Sequence, residues 1–167
     1  MNYLSYLYYF ASDNELNEQP NPYIKLLSIN EALELGIEVD LDMFENDIDR
    51  DEPDVILYCD DKEKMDYPNI YAFDKDNYYE EIGTHKRFCT ALELDSFSDE
   101  NLQLVLNYVQ TQLKHTKEIE IWCVWLGEYN INKTVKKALY SINDLKIDLL
   151  RKFYENSCDN KCMIISK

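Results

Sequence analysis

Glu118-Ile119-Glu120-Ile121-Trp122-Cys123-Val124-Trp125-Leu126-Gly127 is the stretch on which the fold reading turns. It opens with apolar–polar alternation, the period-2 signature of a strand with one polar face. From Trp122 onward every position is apolar, as in a strand buried on both faces. Trp122 and Trp125 are an odd number of residues apart, so a strand aims them at opposite faces of a sheet. Gly127 closes the run.

On the N-terminal side, Leu102, Val105, Leu106, Val109 and Leu113 recur at helical spacing behind Ser98, a good N-cap. This predicts a helix that lays one apolar stripe on the sheet, with His115 near its C-terminal end, where a cation suits the helix dipole. Further back, Lys86–Leu94 alternates, and Ile70–Phe73 and Val55–Cys59 are short apolar runs; all three read as strands. Ser28-Ile29-Asn30-Glu31 is a capping box opening a short helix that Gly36 stops, after a polar turn with Pro20 and Pro22. Tyr3–Phe10 is aromatic-dense and suits a central strand. On the C-terminal side a strand is expected near Lys133–Tyr140. Ser141 is then expected to cap a last helix carrying Ile142, Leu145, Leu149, Leu150 and Phe153. Met163-Ile164-Ile165 is too short to classify.

Strands therefore come in groups rather than in strict alternation with helices. The expectation is an α+β fold: a mixed or mostly antiparallel sheet of about five to six strands, with two to three helices packed mainly on one face. No repeat, low-complexity stretch or Pro/Gly/Ser linker divides the chain, so residues 1–167 read as one domain.

The formal charge of −16 is unevenly spread: residues 38–66 hold 13 acids against three bases, while residues 111–167 hold seven acids against ten bases. Such a field repels phosphate backbones and anionic membranes and attracts basic proteins. It weighs against direct nucleic-acid or membrane binding and for a basic protein partner. No window approaches the length of a membrane span, and the N-terminus lacks the basic region of an export signal. Five cysteines, an odd number, include three (Cys59, Cys89, Cys123) inside strand-like runs, which fits free thiols in a reducing cytoplasm.

Asp47, Asp49 and Asp51 begin like an EF-hand loop, but Glu52 stands where a glycine must turn and Tyr58 where a bidentate glutamate is needed. A solvated acidic surface is the better reading. Pro53-Asp54 with Asp60-Asp61-Lys62 has nuclease-like spacing, yet Asp54 and Asp60 bracket a strand and stand roughly 20 Å apart, too far to share a metal. Cys158 and Cys162 form one thiol pair without the second pair a structural zinc needs, and read as free thiols in a mobile tail. There is no nucleophile elbow or phosphate loop, and only two histidines, His85 and His115, are available as bases. No catalytic residue, metal or cofactor is assigned. The partner-binding candidates are Asp47, Asp49, Asp51, Glu52 and Asp54, with Trp122 and Trp125 as aromatic anchors should either face solvent.

The acidic stretch Asp47 to Asp54, the segment Glu118–Gly127 and the Tyr-rich opening strand together give the chain a resemblance to small acidic immunity proteins of bacterial polymorphic-toxin systems, or to an uncharacterised bacterial family of that build. The resemblance implies a compact, cytosolic, non-enzymatic inhibitor that covers a basic toxin with an acidic surface. The competing expectations are an enzyme using clustered carboxylates and a structural protein that self-associates. Oligomeric state is not legible.

Overall fold

The aromatic opening segment and the Glu118 stretch lie side by side at the centre of a sheet. In the computed structural model, which describes residues 6–44, 48–73, 83–125, 135–155 and 160–167, these are β1 (Tyr6–Ser12) and β6 (Glu118–Trp125). They pair antiparallel with Tyr9 opposite Trp122. Outside them lie β5 (Phe88–Glu93) and then β4 (Asn69–Ala72) on one side, β8 (Lys161–Ser166) and then β7 (Lys136–Ser141) on the other. The six-stranded order is β4-β5-β1-β6-β8-β7, and every pairing is antiparallel except β7 with β8. The fold is α+β with a mixed sheet.

Two helices cover one face. α2 (Asp99–Gln112) starts where Ser98 Oγ accepts from the Asn101 amide, and its predicted stripe is buried at all five positions. α3 (Ile147–Glu155) contributes Leu150, Phe153 and Tyr154. Both pack on Phe10, Leu92, Ile119, Ile121, Cys123, Met163 and Ile165, the inward positions of four neighbouring strands. Arg151 joins the two helices by donating to the Phe97 carbonyl and pairing with Asp99.

Two expectations near the C-terminus are corrected. Ser141 does cap, and with Asp144 it forms a capping box, but the element it opens is a 3-10 turn over Ile142–Asp144. Leu145 is extended, and the helix proper begins at Ile147. The residues around Cys162, read as a mobile tail, form β8 in the sheet interior, and Cys162 is buried; Cys158 lies outside the described residues. Six residues with a partner on each side need little intrinsic strand signal, because the ladder supplies it.

By its contacts the chain groups into two compact units, Met1–Pro20 with Tyr67–Lys167 and Asn21–Asp66. The second contains β2 (Ile24–Leu27) and β3 (Ile56–Cys59), an antiparallel two-stranded ribbon, and α1 (Ile29–Glu34). Ser28 and Glu31 make the predicted capping box, and Gly36 follows the helix at φ +74°, the left-handed conformation that terminates helices. Strand β2 was not anticipated. Its four residues follow Pro22 within a segment read as a turn.

Candidate docking surface

The acidic segment is an ordered turn. Asp49 Oδ1 accepts from the Asp51 amide at 3.0 Å, and the Asp49 carbonyl accepts from the Glu52 amide at 3.1 Å. The turn is tied to the start of α1 twice: the Asn30 amide donates to the Arg50 carbonyl at 3.1 Å, and Asn30 Nδ2 donates to Asp51 Oδ1 at 2.7 Å. Asp54, at φ +66°, redirects the backbone so that the Val55 amide reaches the Leu27 carbonyl and the β2–β3 ribbon begins. Asp49, Asp51, Glu52 and Asp54 are all exposed. Asp47 lies outside the described residues.

Asn21–Asp66 carries 15 Asp and Glu against four Lys and Arg, so its charge is far from balanced. Lys25 pairs with Asp60 at 2.9 Å, and its hydrogen bond, helped by one from Tyr58, holds the Asp60 carboxyl below the usual carboxylate range, while Lys64 places its ammonium 5.6 Å from the Tyr23 ring centre. Among the described residues, the same unit holds most of the large apolar side chains that face solvent. Leu26 and Leu57 stand directly opposite each other across the ribbon, 53% and 52% exposed, and Met43 is 79% exposed.

The two tryptophans behave differently from a pair of anchors. They do fall on opposite faces. Trp125 is half-buried on the helix-covered face, edge-on to Tyr6 at 4.8 Å. Trp122, proposed as an anchor, is withdrawn from the docking set because its side chain is 0% exposed. It stacks on Tyr9 at 5.5 Å with the rings 6° from parallel, on the sheet face away from the helices, together with Ala11, Cys89, Val124 and Cys162. Lys137 on β7 places its ammonium 5.1 Å from the Trp122 ring centre.

That second face holds a polar feature the alternation concealed. Glu120, expected on a wet face, is 6% exposed. Its Oε2 accepts from Trp122 Nε1 at 2.7 Å and from Thr84 Oγ1 at 2.5 Å. Gly83, beside Thr84, makes this possible: a Cβ there would stand 2.8 Å from the Trp122 ring. Period-2 spacing places Glu120 opposite the helices correctly, but it carries no information that a loop closes over it. Burial pushes the neighbouring Cys162 thiol up to about 12, with Glu120 adding to the effect, and pushes Tyr9 well above the ordinary phenol range. At the end of the face, desolvation would lower Lys86, but its bonds to Asp13 (2.7 Å) and Glu118 (2.5 Å) prevail and its ammonium is held above the ordinary lysine range.

His85 and His115 are exposed, and no group of three or more His, Cys, Asp or Glu able to hold a metal occurs among the described residues. No helix among them is long and apolar enough to cross a membrane. Comparison with known proteins finds no matching family model, no matching curated protein and no matching solved structure.

Proposed function

We propose that this chain is a non-enzymatic, acidic binding protein of the bacterial cytoplasm, an immunity-type inhibitor that docks a basic protein partner through the Asn21–Asp66 unit. The observation that carries the reading is the exposed quartet Asp49, Asp51, Glu52 and Asp54, preset on a hydrogen-bonded turn in the most acidic part of the chain. Charges held in place before binding need little ordering when the partner arrives. Their long-range field accelerates encounter and sets register more than it adds affinity. Free thiols at Cys59, Cys89, Cys123 and Cys162 are consistent with a reducing compartment.

The test is capture of partners from extract of the source cell, using the protein and a variant with Asp49→Asn, Asp51→Asn, Glu52→Gln and Asp54→Asn. A basic protein should be retained at low salt. It should be lost from the variant and at about 1 M salt, where the screening length falls to about 3 Å. Capture of the same proteins by both baits, unaffected by salt, would overturn the proposal.

A further inference from the structure

The acidic unit has a second property that charge alone does not explain. Leu26 and Leu57 form a directly opposed cross-strand pair on the β2–β3 ribbon, both more than half exposed. Cross-strand neighbours of this kind stand about 5 Å apart and act as one apolar spot. Of the ten large hydrophobic residues that are exposed among those described, eight belong to Asn21–Asp66, although that unit is barely more than a quarter of the chain. An apolar surface in a setting rich in carboxylates is chemically two-sided: it rewards apolar contact, but only from a partner whose charge is opposite.

We infer that the Leu26–Leu57 pair is a docking spot for a protein segment that interleaves apolar side chains with lysines or arginines, and that it supplies affinity where the carboxylates supply encounter. This rests on the acidic docking proposed above and adds the apolar requirement. Charge selects the occupant. A second copy of the chain would set 15 acids and four bases against the same excess, so self-association through this unit is opposed by like-charge repulsion. A basic apolar segment meets no such barrier.

Three synthetic peptides of equal length test this with the full chain: Lys/Leu, Lys/Ser of identical charge, and a neutral Ser/Leu control. Binding is read by fluorescence anisotropy and by amide shifts of Leu26 and Leu57 in NMR spectra. The Lys/Leu peptide should bind tightest and shift both amides. Leu26→Ser with Leu57→Ser should weaken it about tenfold or more, from the apolar area withdrawn, and leave Lys/Ser binding unchanged. Circular dichroism of that variant confirms folding, and Leu26→Met with Leu57→Met should retain binding. If both cationic peptides bind equally and the serine variant changes nothing, the apolar spot is refuted while the electrostatic reading stands. If neither cationic peptide binds, the electrostatic reading fails too. Two further results overturn the inference: a dimer by sedimentation that the serine variant dissociates, or cross-peaks from Leu26 to side chains outside Asn21–Asp66 in the free protein. In either case the spot is already covered.

Discussion

Replacing Glu120 by alanine should be among the costliest single changes to a charged residue in this protein. One oxygen, Oε2, accepts both Trp122 Nε1 and Thr84 Oγ1, and Glu120, Trp122 and Thr84 are all buried. A buried donor that loses its acceptor costs about 1–3 kcal/mol, so two such donors set a gross penalty of about 4 kcal/mol. Releasing a carboxylate from a poorly solvated position returns part of this, leaving a net loss of about 3 kcal/mol. Against a typical domain stability of about 5–15 kcal/mol, that is a large fraction. Glu120→Gln keeps one acceptor oxygen, and the Thr84 hydroxyl can turn to accept from the new amide, so about 1–2 kcal/mol is expected. Urea unfolding followed by circular dichroism measures both, provided the denaturant slope is unchanged. A cycle with Trp122→Phe should show a coupling of about 1 kcal/mol or more. If Glu120→Ala costs less than about 1 kcal/mol, or if the glutamine variant is the worse of the two, the carboxylate is not acting as the shared acceptor of two buried donors.

Gly83→Ala should destabilise by about 1–3 kcal/mol in the same assay, because the added methyl meets a Trp122 ring that is stacked on Tyr9 and has nowhere to go. In single-cysteine variants at neutral pH, half-buried Cys59 should react with a disulfide reagent well before Cys89, Cys123 or Cys162, which should label only as fast as the protein opens; equal rates would contradict their burial. Stability should fall at alkaline pH. Burial raises Cys123 to about 11 and Cys162 and Tyr108 to about 12, whereas unfolded thiols and phenols titrate near about 8.5 and 10. Above those unfolded values the unfolded chain holds fewer protons than the folded one, so the contribution present at neutrality is lost as pH rises towards about 11–12. Cys123→Ala with Cys162→Ala should flatten the decline between about pH 9 and 11, and an unchanged slope would assign it elsewhere.

Most elements were legible because each carried a local signal of its own. The Leu102–Leu113 stripe had helical spacing and a serine cap, and the Glu118 stretch carried a strand signal in its alternation and its apolar run. What escaped was set by neighbours. β2 has four residues and gains its strand character by pairing with β3. β8 lies between two strands, and its conformation follows from the ladders on either side. The candidate site divides the same way. The exposure of Asp49, Asp51, Glu52 and Asp54 followed from composition, since so many carboxylates have no way into a core. The burial of Glu120 required Thr84, 36 residues earlier in the chain, and no local pattern encodes that meeting. The exposed Leu26–Leu57 pair was hidden for the same reason: it exists only once the register of the ribbon is known.

The placement of β8 between β6 and β7 makes the outer part of the sheet depend on one strand. Strand β7 has no ladder partner among the described residues except β8, which follows it after the whole of α3. Without β8, β7 loses that ladder and β6 presents a raw backbone edge flanked by Ile119, Ile121 and Trp122. Unpaired edges of that kind recruit other chains. Variants that weaken β8 should therefore release β7 and bare the β6 edge together, and promote aggregation.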